Sequence, residues 1–492
     1  MNPQTSVRRP NLLVICDDQH SGLCCGFQGH PLARTPHLDA LAAAGTNFRT
    51  CYSNSPVCVA ARAALFTGRF PHEVGAYDNA APFQGQVPTF AQAARAQGYL
   101  CRASGKLDFW TGKDYGFEED VVFHGHDVSP DITALFRNPL CYREDARLQQ
   151  GGRIRADDEP WQDRATADRT LRFIRERAAE PGRPWLAYTG WGYPHNPYRA
   201  SRAMLEQIPL EAVELPHLAP DWCEHEHPVM HLRRFHGRGA RQAEPAALRL
   251  ARACYYAMIT EVDALVGDLL RALEETGQRE NTIILFTSDH GDMLGEQGLW
   301  HKNAPYDPAA RVPLVVAGPG IPAGRTVANP VSQVDVCATL LDLVGAPPDS
   351  SARGQSLLPL ARGDRHDHPP AYMELNTEGL ITGVFTLVRD EWKYNYYVDY
   401  PPQLFNLRDD PWEQNNRAED PETAPLREEL HRHLLALVNP EQVHEAAFAD
   451  QARRRHEWYG GKSAPEIVQA LVSRLGPEQS QRFAARIVEG RG

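Results

Sequence analysis

Apolar and polar positions follow two different rhythms along the chain, and the rhythm changes near residue 365. "NLLVIC" (residues 11–16) is a short branched apolar run that stops at Asp17, Asp18 and Gln19, the pattern of a central strand in a parallel sheet. In "RTPHLDALAAAG", Thr35 predicts a helix N-cap, Pro36 the first helical position and Gly45 the stop. "CVAARAALFTG" predicts a helix from Cys58 closed by Gly68, and Thr89 to Gln97 predicts another ended by Gly98. "YLCRASGK" reads as a strand running into a loop, and "PWLAYTGWGYPHNPY" as a strand leading into an aromatic, proline-rich loop. A long helix with one apolar face covers Pro245 to Glu275, followed by a second central strand, "TIILFTSDHGD". "RVPLVVAGPG" and the helix "SQVDVCATLLDLVG" continue the alternation, which predicts an α/β fold with a mostly parallel or mixed sheet sandwiched by helices.

Beyond a proline- and glycine-rich connection at 345–370 the runs shorten to "AYMELN", "ITGVFTLVRD", "EWKYNYYVD" and "QLFNL", with a hairpin expected at Asp390-Glu391. The expected division is a large α/β domain over 1–365 and a smaller domain over 366–492, an antiparallel sheet with a helical tail.

Composition narrows the class. The 492 residues are 42% hydrophobic and 23% charged, as in an ordinary globular chain, and the net charge of −12 argues against nucleic acid as a partner. The one basic cluster, Arg453 to His456, reads as a solvated helix face. The N-terminus lacks a signal-peptide apolar stretch, and no apolar run approaches the roughly 20 residues of a membrane span, so a cytoplasmic location without a membrane partner is expected. Ten cysteines without CxxC spacing suggest buried thiols rather than a zinc site or disulfide framework. The tract "CEHEHP" (Cys223–Pro228) resembles a metal-binding run but lacks a partner motif.

Ligands of α/β proteins bind beyond the carboxyl ends of the strands. Two such ends carry clustered donors, and Asp18, Gln19, Asp289 and His290 could meet at one divalent cation; taken singly, each motif also reads as turn and capping residues. Cys58 opens a helix whose unpaired N–H groups suit an anion such as sulfate or phosphate, and that position is expected to lower a thiol pKa. Arg62 follows one turn later. The competing reading of Cys58 is a small core residue.

Together these stretches resemble the sulfatase family of the alkaline-phosphatase superfamily. "NLLVICDDQ", "SPVCVAARAALFTGR", Gly105-Lys106, "YPHNPY", "TSDHGDMLGEQGLWHK" and "RVPLVVAGPG" fall in the family's order. "GAYDNAAPF" and the Asp-Gln pair resemble the choline sulfatase and phosphonate monoester hydrolase subgroup. The resemblance implies an alkaline-phosphatase-like fold and hydrolysis of a small sulfate ester. It implies that a maturation enzyme oxidises Cys58 to formylglycine, whose gem-diol is the nucleophile, with Arg62 supporting it. It further implies one divalent cation, Ca²⁺ or Mn²⁺ with Mg²⁺ a further candidate, held by Asp18, Gln19, Asp289 and His290. Lys302 would contact the transferred group, His195 would serve the leaving oxygen, and Lys106 and Asn79 would line the anion pocket. His301 is expected at the surface or in support, the leaving-group pocket within 110–165, 196–245 and the C-terminal tail, and the assembly as a homo-oligomer. Two departures stand out: Ala60 and Ala61 replace the usual proline and serine, and Asp108 stands where relatives often have histidine. Asp108 either orients Lys106 or receives a cationic part of the substrate. A phosphodiesterase or phosphonate monoester hydrolase on the same scaffold, or a homologue that binds metal but never matures Cys58, are the alternatives.

Overall fold

The computed structural model describes residues 9–126, 152–218, 226–236 and 244–460, apart from the single positions 157, 181, 348 and 378, together with Arg137 and Glu224. Eight strands form the central sheet: β1 (Asn11–Asp18), β2 (Thr46–Phe48), β3 (Leu100–Trp110), β4 (Glu119–His126), β5 (Trp185–Pro194), β6 (Thr282–Ser288), β7 (Leu314–Ala317) and β8 (Arg325–Val327). Their spatial order is β8-β2-β7-β6-β1-β5-β3-β4. The run from β6 to β4 is parallel, whereas β7 is antiparallel to both its neighbours, so the sheet is mixed. Asp17 pairs with Ser288, and Asp18 with Pro194. This register gathers the carboxyl ends of β1, β5 and β6 at one edge of the fold.

Side chains alternate across β1. Leu12, Val14 and Cys16 enter one core with α2 (Cys58–Thr67), α3 (Phe90–Ala96) and α6 (Gln333–Val344). Leu13 and Ile15 enter the other with α1 (Pro36–Ala43), α4 (Gln162–Ala179) and α5 (Pro245–Glu275). Strands buried on both faces need apolar residues at every position, which is why the first run lacks polar alternation.

The C-terminal part is a four-stranded antiparallel meander, β9 (Ala371–Leu375), β10 (Val384–Arg389), β11 (Trp392–Tyr397) and β12 (Tyr400–Asn406), followed by α7 (Ala424–Leu437) and α8 (Pro440–Tyr459). Asp390 takes a left-handed φ of 54° in the β10–β11 turn. This sheet packs on α2: Val57 and Ala60 meet Leu375, Val384 and Phe405, while Ala64 shares a cluster with Tyr372, Leu404 and Leu430. The Cys58 helix therefore lies between the two sheets.

Three local expectations are corrected. The Thr35 side chain does not cap α1; the Asp263 carboxylate accepts from His37 and Leu38 N–H at 3.1 and 2.8 Å, and Thr35 Oγ1 instead receives the Gly26 N–H. The strand expected to end near Lys106 continues to Trp110 through a register shift. Gly105 and Gly190 permit that shift, since a Cβ on Gly105 would lie 2.0 Å from the Gly190 oxygen and one on Gly190 2.2 Å from the Lys106 oxygen. Finally, Arg454 is not on a solvated face: it is buried against Asp78, while Arg453 remains exposed. A charged run hides an inward position whenever helical spacing turns one member toward the protein.

Candidate active site

The ends of β1 and β6 bring Asp18, Asp289 and His290 together, and the first turn of α2 adds Cys58. One donor atom from each lies within 4.8 Å of all the others, and all four residues are buried. Asp289 Oδ1 accepts the Gln19 N–H at 3.0 Å, and its Oδ2 accepts Arg62 Nε–H at 2.9 Å. His290 Nδ1–H donates to the Gly291 carbonyl at 3.0 Å, which leaves the Nε2 lone pair facing the cluster. Burial, reinforced by the nearby Lys302 ammonium, lowers the His290 pKa and keeps the imidazole neutral, the form that binds metal.

Gln19 sits at φ 69°, and its side-chain amide donates to Asn196 Oδ1 at 3.2 Å and Asp292 Oδ2 at 2.6 Å. The amide oxygen, Oε1, is buried and has no hydrogen-bond partner. Two carboxylates, one imidazole nitrogen and an unsatisfied buried amide oxygen form a hard donor set that fits a divalent cation.

The cationic groups arrive from three other segments. Lys302 Nζ lies 2.6 Å from Cys58 Sγ and 3.0 Å from His195 Nε2. His195 Nδ1 pairs with the Asn196 carbonyl at 2.5 Å, so Nε2 is the nitrogen turned toward Lys302. Lys106 bonds Asp18 Oδ2 and lies 3.1 Å from Asp108 Oδ2. The Asp108 carboxylate thus neutralises Lys106 and also lies 3.6 Å from Arg62 Nε, the geometry of the orienting alternative. Arg62 does not touch the thiol. It ties Asp289, the Lys106 and Asp17 carbonyls and the Tyr188 hydroxyl into one frame. Asn79 Oδ1 accepts the Val59 N–H at 3.3 Å, supplying α2 with the cap that Val57 lacks.

One electrostatic expectation fails. Burial, with the Asp18 carboxylate beside it, pushes the Cys58 thiol up to about 12. The lysines oppose this shift without overcoming it, and neither does the helix position. Burial thus favours the protonated thiol over the thiolate at Cys58.

Several contributors carried no separate signal. Asp292 lies inside the quoted "SDHGD", yet its part is to accept from Gln19, Tyr198 OH, and the Leu294 and His301 N–H groups. Asp163 holds the turn before His195 by accepting the Gly192 and Tyr193 N–H groups at 2.7 and 2.8 Å. His301 is buried, 3.3 Å from the Tyr198 hydroxyl. In the "CEHEHP" tract, Glu226 pairs with Arg234 and His227 bonds the Pro401 carbonyl, while Cys223 and His225 lie outside the described residues. The eight described cysteines are free and buried. Of the segments expected to form the leaving-group pocket, 127–136, 138–151, 157, 219–223, 225 and 237–243 lie outside the described residues, as does the tail after 460. No described helix is long and apolar enough to cross a membrane.

The buried carboxylate–imidazole cluster faces a helix-borne cysteine at the carboxyl edge of the mixed sheet, beside the second, antiparallel sheet, and the family match makes it the site of a sulfatase-family hydrolase. The chain belongs to the sulfatase family: the model described as Sulfatase matches residues 10–346, and that of the N-sulphoglucosamine sulphohydrolase C-terminal region matches 295–440. It is 33% identical to the choline-sulfatase of Rhizobium meliloti (strain 1021) over 433 residues, covering 84% of this chain and 83% of that one. Human arylsulfatase K (Homo sapiens) is 28% identical over 458 residues, covering 87% of this chain and 82% of that one. Among solved structures, the phosphonate monoester hydrolase of Agrobacterium radiobacter superposes with a TM-score of 0.73 at 26% identity, over 87% of this chain and 95% of that one.

Proposed function

We propose that the protein hydrolyses a small sulfate ester at Cys58, with the nucleophile supplied by formylglycine made from that cysteine. The observation that supports this reading is the place of Cys58 Sγ, 2.6 Å from Lys302 Nζ and 3.3 Å from His290 Nε2. Asp18, Asp289, His290 and the Gln19 amide oxygen would hold a divalent cation, Ca²⁺, Mn²⁺ or Mg²⁺. Such a cation lowers the pKa of an oxygen nucleophile and offsets negative charge on the transferred group.

The chain's own groups do the rest. Lys302 and Lys106 face the region where the three equatorial oxygens of the transferred group gather charge, stabilising the transition state more than the ground state. His195, on a turn fixed by Asp163, would take a proton at Nε2 from the Lys302 ammonium 3.0 Å away and pass it to the departing oxygen, while the Asn196 carbonyl holds Nδ1–H. Asp108 and Arg62 keep Lys106 and Asp289 from turning away. A cytoplasmic setting would place the chain beside its maturation enzyme.

The likeness to a phosphonate monoester hydrolase favours a second reading, transfer of a phosphoryl rather than a sulfuryl group by the same residues. Rates on 4-nitrophenyl sulfate, bis(4-nitrophenyl) phosphate and a phenylphosphonate monoester separate the two: the sulfate is expected to lead, and a faster phosphonate reverses the assignment. Peptide mass spectrometry of the protein from its native host tests the nucleophile. Conversion lowers the mass of the Cys58 peptide by about 18 Da. An unmodified peptide from an active enzyme overturns the formylglycine reading, and one from an inactive chain supports a homologue that never matures.

A further inference from the structure

We infer that Arg454, on the last helix, is a positioning residue for the Cys58 nucleophile. α8 begins where the C-terminal family model stops at residue 440, so neither family model accounts for Arg454. Its guanidinium grips Asp78 with two bonds, NH2 to Oδ2 at 2.7 Å and NH1 to Oδ1 at 3.1 Å. Gln451, one turn earlier on α8, adds a bond to Asp78 Oδ2 at 2.9 Å and a second to the Asn376 carbonyl at 2.9 Å. Arg137 stacks on Phe448 at 4.1 Å and donates to Gln451 Oε1 at 3.3 Å. Asp78 is fully buried, with Arg454 and Gln451 nearly so.

The consequence passes to the next residue in the chain. Asp78 Oδ1 also accepts the Ala80 N–H at 2.8 Å, and its carbonyl accepts the Ala81 N–H at 3.0 Å, so the carboxylate shapes the 78–81 turn. Asn79 rides on that turn and caps the Val59 N–H at the start of α2. Through two intervening side chains, Asp78 and Asn79, α8 therefore bears on the first turn of α2, where Cys58 lies. Among the described residues, losing Arg454 leaves the buried Asp78 carboxylate with only the neutral Gln451 amide and Ala80 N–H. Losing the Asp78 charge leaves Arg454 to Asp450, 2.7 Å from its Nε, and in either case the turn relaxes by moving. A displacement near 1 Å at the reacting group lowers turnover by about 100-fold.

The test compares Arg454→Met, Arg454→Lys and Asp78→Asn with Arg453→Met, a neighbouring exposed arginine. One arm measures steady-state kinetics on 4-nitrophenyl sulfate and rests on the proposed hydrolase reading. The other measures hydrogen–deuterium exchange of peptides covering 58–65 and, as reference, 282–288. Arg454→Met and Asp78→Asn are expected to lower kcat by about 10- to 100-fold with little change in KM. They are also expected to raise exchange in 58–65 but not in 282–288. Arg454→Lys should recover part of both, the Arg454→Met/Asp78→Asn double variant should be no worse than either single one, and Arg453→Met should match the parent. An unchanged exchange at 58–65, or an equal rise in both peptides, overturns the inference. If the parent enzyme hydrolyses none of the esters, the hydrolase reading falls and the exchange arm alone decides this one.

Discussion

Arg62 Nε–H donates to Asp289 Oδ2 at 2.9 Å with both side chains fully buried, so one arginine orients a carboxylate of the metal-ready cluster from behind. The same guanidinium reaches the Lys106 carbonyl at 3.0 Å and the Tyr188 hydroxyl at 2.7 Å. It joins β1, β3, β5 and β6 to α2 and fixes their relative positions where the strands end.

Replacing Arg62 is therefore expected to damage structure as well as activity. Arg62→Ala leaves Asp289 buried without its partner, a loss of about 3–5 kcal/mol. Arg62→Lys keeps the charge but gives up the fork that meets four acceptors, and should also fall well below the parent. Thermal denaturation checks this: an Arg62→Ala protein that melts with the parent shows the frame is not built on this arginine.

Lys302 gives a different signature. It contacts Cys58 and His195 and lies at the mouth of the cluster rather than in the frame. Lys302→Met should fold normally and lose about 10²–10⁴ in kcat, the range for a group acting in the transition state. A thermally intact Lys302→Met enzyme with parental kcat removes Lys302 from the reaction.

How much of this could be read from the chain follows from what sequence pattern encodes. Asp18, Asp289 and His290 were legible because parallel strands in register put their carboxyl ends together, and two such ends carried donors. Lys106 and Asp108 were legible as residues but not as backbone, since the bulge past Gly105 depends on the close approach of Gly190 across the sheet. Arg454 was read as solvated because a run of basic residues looks the same whichever member turns inward. The Cys58 pKa was read from helix position alone, while burial beside Asp18 is a tertiary effect that overrides it. Asp263 at the start of α1 shows the same limit, being a cap delivered from 225 residues away.

Chelation tests the donor set. A cation bound only by the folded state adds RT ln(1 + [L]/Kd), about 2.7 kcal/mol at a hundredfold excess over Kd. Treatment with EDTA should lower Tm and abolish activity, and adding back Ca²⁺, Mn²⁺ and Mg²⁺ singly should identify the ion that restores both. Asp289→Asn should lower Tm in the presence of metal and respond little to the chelator. A parent enzyme indifferent to EDTA, with no metal by elemental analysis, rules out the cation.

Asp108→Asn separates the two readings of that residue. With the carboxylate gone, Lys106 keeps Asp18 as its ion-pair partner among the described residues, and its ammonium swings more freely. If Asp108 orients Lys106, kcat falls alike for a neutral aryl sulfate and for choline sulfate. If Asp108 receives a cationic group, KM rises for choline sulfate alone. The 3.1 Å contact with Lys106 favours the first outcome. A KM effect confined to the cationic substrate would refute it.

Asp163 gives the fold a pH dependence with a definite sign. Burial raises its pKa from 3.8 to about 6, despite the two backbone N–H groups that favour the ionised form. The native state therefore holds this proton to higher pH than the unfolded chain does. The stability it carries is complete below pH 3.8 and is lost as pH rises through about 6. The full shift corresponds to about 3 kcal/mol, of which about 1 kcal/mol falls between pH 5 and 7.5. Asp163→Asn cannot titrate. It keeps one acceptor for the two N–H groups, a loss of about 1 kcal/mol at every pH. Relative to the parent, the variant should therefore gain about 1 kcal/mol of stability between pH 5 and pH 7.5. Denaturant unfolding at the two pH values measures the difference directly. A difference that stays constant, or that shifts toward the parent as pH rises, would mean that the carboxyl is already ionised when it binds the turn before His195.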